Sequence, residues 1–177
     1  MIKSKVEKAI NKQINAELWS AYLYLSMSSF FESINLSGFA TWMLMQFQEE
    51  VNHAMRLYNH VIERGGRVKL EAIDAVPTEW KSPLHAFEET YRHEQKVTGL
   101  IEKLVDIAEQ EKDRASLNML QWFIDEQVEE ENSADEIVQK LKLIGNSGNG
   151  IFMLDNELGQ RIFTGDITAR QTQQQQV

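Results

Sequence analysis

The stretch QFQEEVNHAM, Gln46 to Met55, places acidic and imidazole side chains in the middle of what otherwise has the pattern of a buried helix face. Leu or Val would be the usual choice there, because burying apolar surface stabilises the fold. Glu49, Glu50 and His53 occupy these positions instead and require a chemical explanation. The apolar residues that flank the stretch are Phe39, Trp42, Met43, Leu57, Val61 and Ile62.

The composition limits what the protein can be. The chain has 177 residues, of which 42% are hydrophobic, enough for one domain with a core. It contains no cysteine, which excludes disulfides and thiolate metal sites. A net charge of -9 argues against a nucleic-acid partner and suits a soluble protein or one that handles cations. No signal-peptide pattern and no run of eighteen apolar residues occurs, so we expect a cytoplasmic protein without a membrane partner.

Few residues interrupt helix formation, and the runs between them predict an all-α protein. Ser82–Pro83 has the composition of a helix start, with Ser as N-cap and Pro at the first helical position. The connection 65–82 is long enough to cross the length of a helical bundle. The predicted helices run from Ser4 to about Phe31, from the turn Glu32–Gly38 to Arg64, from Pro83 to about Glu111, from the capping residue Asp113 to Ile144, and briefly within 151–163.

The C-terminal segment differs from the rest of the chain. Residues 164–177 are polar and low in complexity, and we expect them to be disordered. Residues 1–163 are therefore predicted to form the single domain.

Each of the four long helices carries an apolar seam with steps of three and four residues, and a glutamate interrupts each seam. A lone glutamate on a seam is usually a surface residue. One on each of four seams is hard to explain as coincidence. In the third helix the predicted seam is Leu84, Phe87, Tyr91, Glu94, Thr98, Ile101 and Val105. The four seam glutamates are Glu17, Glu50, Glu94 and Glu130.

The four glutamates are predicted to lie at a common depth in the bundle. Glu17 and Glu50 are nearly equidistant from the turn that joins the first two helices. Glu94 and Glu130 are each eighteen residues from the reversal near Lys112. Since the long connection makes the second and third helices parallel, the two pairs meet near mid-length.

Four buried carboxylates require either protons or cations. Each buried unpaired ion costs several kcal/mol, and no lysine or arginine lies on a seam at that level. His53 follows Glu50 by three residues and shares its helical face. A neutral imidazole nitrogen beside carboxylates suits a transition metal, so cations are the favoured explanation.

Other polar residues lie near the predicted centre. Tyr24 shares a face with Glu17, either as core packing or as a hydrogen-bond donor that could also supply an electron. Gln127 belongs to the fourth seam. Glu49, Glu126 and Glu129 form either a subsidiary acidic site or a solvated acidic face. Three histidines fall off the seams and are expected to be solvated: His60, His85 and His93.

Three motifs resemble those of bacterial non-haem ferritins. They are EEVNHA at 49–54, ERGGRV at 63–68 and DEQVEEE at 125–131. The resemblance spans roughly Lys5 to Phe163 and implies a ferritin-like four-helix bundle with a long crossover and a short fifth helix. It also implies ferroxidase activity, in which Fe(II) is oxidised by O2 or peroxide, and storage of a ferric oxyhydroxide mineral in a hollow homo-oligomeric shell of twenty-four subunits.

The resemblance also implies roles for the residues above. Glu17, Glu50 and His53 would hold one iron, Glu50 would bridge, and Glu94 and Glu130 would hold the second, with Gln127 nearby. A third iron site would use the acids Glu49, Glu126 and Glu129. No haem is expected, because Asn52 stands where bacterioferritins carry the haem-ligating methionine.

Two other classes of protein remain as alternatives. A rubrerythrin-like or oxygenase-like di-iron protein would need a second Glu-x-x-His, a substrate channel or a cysteine-ligated electron-transfer site. Here Gln127-Val-Glu-Glu130 replaces the second Glu-x-x-His, and cysteine is absent. A Dps-like DNA protector places its metal site between subunits, whereas one bundle supplies every predicted ligand here.

Overall fold

The computed structural model describes residues 1–162, and this part of the chain is all-helical. The predicted tail 164–177 and Phe163 lie outside the described residues. The predicted all-α architecture is confirmed, and helix ends differ from the predicted ones by a few residues. The helices are α1 (Ser4–Ser33), α2 (Ser37–Glu63), α3 (Pro83–Gln110), α4 (Arg114–Ile144) and α5 (Gly148–Leu158).

Local hydrogen bonds explain where the helices begin and end. The Ser82 side chain accepts from the backbone N–H of His85, and Pro83 opens α3. The Asp113 side chain caps α4 in the same way, through the N–H of Ser116. Gly65 ends α2 with a φ of 70°, a left-handed conformation that glycine adopts without steric cost.

The crossover between α2 and α3 follows α1 along the bundle. Asn11 accepts from the N–H of Lys69 at 2.6 Å, and Ser26 donates to the carbonyl of Pro77 at 2.7 Å. Contacts therefore advance along both segments in the same direction. The crossover returns the chain to the end of the bundle where α2 began, so α2 and α3 are parallel, as predicted.

The core consists of two apolar clusters with a polar layer between them. One cluster lies towards the end where α1 meets α2 and includes Phe31, Phe39 and Phe87. The other lies towards the opposite end and includes Leu57 and Phe123. The buried acids of all four long helices occupy the layer between these clusters.

The predicted seam of α3 was partly wrong. Leu84, Tyr91, Thr98 and Val105 are only half-buried. Phe87, Glu94 and Ile101, spaced seven residues apart, are buried as predicted. After each of them, however, the next buried residue follows three positions later and not four. The intervening buried residues are therefore Thr90, Val97 and Leu104. Thr90 can occupy the core because its hydroxyl donates to the carbonyl of Ala86 at 3.1 Å.

The short helix α5 is fixed to the start of α2. Asp155 accepts from the backbone N–H groups of Gly38 and Phe39 at 2.8 and 3.0 Å. A Cβ at Gly38 would lie 1.7 Å from the Asp155 carbonyl oxygen, so only glycine allows this approach. Leu154 and Leu158 bury their side chains in the adjoining apolar cluster.

Membrane insertion through a helix finds no support in the described residues. Within residues 1–162, none of the helices combines the length and apolar character needed to cross a membrane.

Candidate metal centre

The four seam glutamates and His53 are buried together in the polar layer. Glu17, Glu50 and Glu94 are each 1% exposed, Glu130 is 5% exposed and His53 is 2% exposed. The described residues include no buried lysine or arginine. Within residues 1–162, the polar layer therefore contains four buried acids but only one buried base, His53.

The half of the centre on α1 and α2 brings three candidate ligands together. One ligand atom from each of Glu17, Glu50 and His53 lies within 4.8 Å of the other two. Gln13 donates to one oxygen of Glu17 at 2.9 Å. The Oε2 atoms of Glu17 and Glu50 are buried without a hydrogen-bond partner among the described residues. Two such oxygens beside an imidazole fit a metal ion.

The half of the centre on α3 and α4 is held by neutral donors. Tyr24 donates a hydrogen bond to Oε1 of Glu94. Gln127 donates to Oε2 of Glu94 at 3.3 Å. Gln46 donates to Oε2 of Glu130 at 2.8 Å. These donors fix both carboxyl groups without adding charge.

Two of these supporting amides were not predicted as site residues. Gln13 precedes Glu17 by four residues and Gln46 precedes Glu50 by four, so each lies one turn away on the same face. An amide one turn before a seam glutamate was the signal that could have identified them.

Burial dominates the ionisation of the acids. Desolvation, with the charge of Glu50 second, raises the pKa of Glu17 to about 8. Desolvation also raises the pKa of Glu94 to about 8, with the neighbouring Glu130 as the next cause. The pKa of Glu50 rises to about 7 for the same first reason, against the opposing effect of His53. The pKa of Glu130 is also raised by burial.

His53 has both ring nitrogens directed at carboxylates. Nδ1 lies 3.6 Å from Oε2 of Glu50, and Nε2 lies 3.8 Å from Oε1 of Glu126. Burial alone would lower the pKa of His53, but Glu50 and Glu126 outweigh it and raise the pKa. Trp122 packs edge-on against the imidazole, with ring centroids 5.4 Å apart, and helps to fix its orientation.

A second group of candidate ligands adjoins the first. One atom from each of His53, Glu126 and Glu130 lies within 4.8 Å of the others. Burial raises the pKa of Glu49 to about 7, with Arg161 as the main opposing influence. Glu129 is exposed and is not a member of either group. The structure therefore brings Glu126 to the centre and leaves Glu129 at the surface, while Glu49 is half-buried beside the second group and belongs to neither.

Arg161 was missed by the sequence reasoning. It follows α5, and its Nη2 donates to Oε2 of Glu49 at 2.6 Å. Its guanidinium carbon lies 4.5 Å from the centroid of the Trp42 ring. The contact depends on the docking of α5, and local spacing carries no signal for it.

The other three histidines lie outside the centre, but the expectation that they are solvated was wrong. All three are half-buried. His60 is hydrogen-bonded to Ser116 at 2.9 Å, and His93 to Ser20 at 2.8 Å. Burial lowers the pKa of His93 to about 4, so it is neutral at physiological pH.

The fold and the site define a class of four-helix-bundle proteins with a carboxylate-rich core that could hold metal. Residues 7–144 match the family model of the ferritin-like domain, and the chain belongs to the ferritin family.

Similar proteins agree with this assignment. A bacterial non-heme ferritin of Bacteroides fragilis (strain 638R) is 51% identical over 161 residues, covering 91% of this chain and 100% of that protein. One of Staphylococcus aureus (strain USA300) is 34% identical, covering 92% of this chain and 98% of that protein. A solved open-pore ferritin of the archaeon Archaeoglobus fulgidus is 56% identical with a TM-score of 0.91, covering 92% of this chain and 100% of that one. The family resemblance predicted from the motifs is confirmed.

Proposed function

We propose that this chain is an iron-storage ferritin that oxidises Fe(II) with O2 or peroxide at a di-iron centre inside one bundle. The observation that carries the proposal is the burial of four glutamates, one from each long helix, whose charges act on one another, with Glu17, Glu50 and Glu130 within ligand distance of His53. Two divalent cations would replace the protons that these acids otherwise retain at neutral pH.

The proposed ligand sets follow the two halves of the centre. Glu17, Glu50 and His53 bind the first iron, and the unpartnered oxygens of the two glutamates support this assignment. Glu94 and Glu130 bind the second iron, with Glu50 between the two. Carboxylate-rich ligand sets from four helices are the recurring solution for di-iron sites in such bundles.

The second iron is proposed to be held less firmly than the first. Gln127 occupies the position where a second Glu-x-x-His motif would begin, so the α3–α4 half offers no imidazole. Weak binding suits iron that passes through the centre as substrate rather than remaining as a cofactor. No haem is part of the proposal.

Tyr24 is proposed to act on the second half of the centre. Its hydroxyl donates to Glu94, and burial first, then the charge of Glu94, raises the pKa of the phenol well above its usual value. It therefore remains a neutral donor that orients the carboxylate. An electron taken from Tyr24 during oxidation would be accompanied by transfer of its proton to Glu94.

Storage and assembly extend the proposal beyond one chain. Similarity to proteins named as ferritins supports a homo-oligomeric shell, for which we propose twenty-four subunits, a ferric oxyhydroxide mineral inside and a cytoplasmic location. We further propose that residues 1–163 form the functional domain and that 164–177 are a separate polar tail.

The test is the Glu50→Ala variant. Removing the bridging carboxylate should abolish rapid Fe(II) oxidation while the protein still assembles, as measured by stopped-flow absorbance and by size exclusion with light scattering. Glu102→Ala removes an exposed glutamate of α3 and serves as the control, with native rates expected. Native-rate oxidation of the first irons by Glu50→Ala would refute the di-iron assignment.

A further inference from the structure

The segment that follows α5 brings a positive charge to the edge of the metal centre. Arg161 and Glu49 form an ion pair at 2.6 Å in which the side chains are 24% and 21% exposed, so both groups are largely removed from water. Screening is weaker for such a pair than for a surface salt bridge. Arg161 Nη1 is also buried, and it has no hydrogen-bond partner among the described residues.

Two contacts hold the guanidinium in place. Asp155 anchors α5 to the first turn of α2 through the N–H groups of Gly38 and Phe39. Trp42, one turn further along α2, provides an aromatic surface 4.5 Å from the guanidinium carbon. The position of Arg161 is therefore determined by the docking of α5 rather than by chance contact of an exposed chain.

The charge of Arg161 acts on more than its direct partner. It favours the ionised form of Glu130 as well as that of Glu49. Glu130 belongs to the group with His53 and Glu126 that could hold a cation. A guanidinium at this position and a divalent cation bound by Glu49 would therefore compete for the same carboxylate.

We propose that Arg161 is a built-in counter-ion of the third cation site, which a divalent cation must displace from Glu49 in order to bind. The inference rests on the proposed function, because the site beside the di-iron centre is part of it. Displacement couples occupancy of the site to the C-terminal end of α5. By linkage, a contact that holds Arg161 on Glu49 weakens cation binding, and a bound cation weakens that contact by the same factor.

The test measures Zn²⁺ binding to the full-length, metal-free protein by titration calorimetry. Zn²⁺ is redox-inert, so affinity is read without oxidation. Arg161→Gln keeps a polar chain over Trp42 but removes the charge, and it should strengthen the third binding event by about tenfold. The first two events should remain within about twofold of native. Arg161→Lys retains the charge and should remain near native.

Two controls separate competition from a change in α5 docking. Lys140→Gln removes another cation that binds α5, through Glu157 at 2.7 Å, and should leave all three events unchanged. In a Glu49→Gln background, Arg161→Gln should strengthen the third event by no more than about twofold, through the remaining influence of Arg161 on Glu130. An increase of about tenfold that persists in that background would overturn the inference.

A second readout follows the segment directly. The amides of Gly159, Gln160 and Arg161 donate to carbonyls of α5. Hydrogen exchange of 159–162 should accelerate when the third Zn²⁺ binds to the native protein, and unchanged exchange would overturn the inference. An unchanged third affinity in Arg161→Gln, or only two binding events in both proteins, would also overturn it while leaving the di-iron centre intact. The absence of any Zn²⁺ binding event in the native protein would instead refute the proposed function.

Discussion

The two halves of the metal centre contain the same acidic residue type but satisfy it differently. On α1 and α2, Glu17 and Glu50 each keep a buried oxygen that has no hydrogen-bond partner within residues 1–162, and His53 lies within reach of both. On α3 and α4, Glu94 and Glu130 accept hydrogen bonds from Tyr24, Gln127 and Gln46. A cation at the first half can bind buried oxygens that accept no hydrogen bond, whereas at the second half it must share the carboxylates with neutral donors.

The difference extends to charge. His53 is a base whose pKa is raised by its acidic neighbours, so its positive charge offsets part of the acid in the first half when no metal is bound. Helices α3 and α4 supply no base of their own to the second half, and burial raises the pKa of Glu94 to about 8, as it does for Glu17 in the first half. The two halves therefore differ in the base that accompanies the acids, and not in how far burial raises the pKa of Glu17 and Glu94.

The largest effect is expected when the first half is broken. His53→Ala removes one of the three proposed ligands of the first metal ion and should weaken the first Zn²⁺ binding event by more than about 100-fold, beyond the usual effect of losing a supporting residue. Gln127→Ala is the matched change in the second half, and it should alter the affinity of the first Zn²⁺ binding event by less than about threefold. Calorimetry at pH 7 measures both, and similar losses in the two variants would contradict the proposed difference between the halves.

Stability of the metal-free protein should fall as pH rises. Glu17 and Glu94 have pKa values of about 8 in the folded state against 4.5 in the unfolded chain. Between these values the folded state binds more protons than the unfolded state, so rising pH favours unfolding. The raised pKa of His53 acts with the same sign, because its extra stabilisation is also lost as pH rises.

We therefore expect the free energy of unfolding to drop by on the order of a few kcal/mol between pH 5 and pH 8.5. Urea unfolding followed by circular dichroism at several pH values measures the drop. Zn²⁺-loaded protein should lose this slope, because the metal replaces the protons. A flat profile without metal would show that the acids are not proton-bound in the folded state.

Neutralising the second half should raise the stability of the metal-free protein, by less than the loss expected from raising the pH. Replacing Glu94 and Glu130 together by Gln removes two buried acids while retaining oxygens that can accept from Tyr24 and Gln46. The melting temperature of the metal-free protein at pH 8 should rise, by about 2–4 °C for each kcal/mol gained. A fall in melting temperature would mean that these acids are well paired without metal.

The sequence was sufficient for the helices and the buried acids because both depend on local periodicity. Seams with steps of three and four residues identify which glutamates face inwards, and turn positions give their depth. The same reasoning missed Arg161, whose contact with Glu49 depends on Asp155 meeting Gly38 and Phe39 more than a hundred residues away along the chain. It also misassigned half of the α3 seam, because Tyr91 and Thr90 both fit helical spacing and only tertiary packing selects between them.

The smallest effect is expected at the acids beside the first half, where Glu126 and Glu129 provide a matched pair. Glu126 lies 3.8 Å from the Nε2 atom of His53, whereas Glu129, on the same helix, is exposed and belongs to neither candidate group. If Glu126 helps to hold a third iron, Glu126→Ala should leave the first oxidation burst within about twofold of native, because Glu17, Glu50 and His53 all remain in place to bind the first iron. It should change the number of irons oxidised per O2, measured with an oxygen electrode, and the recovery time before a second burst, measured by stopped-flow absorbance. Glu129→Ala should change both quantities less. Equal effects would mean that proximity to His53 does not determine the role, and native behaviour in both variants would reduce these acids to a solvated face.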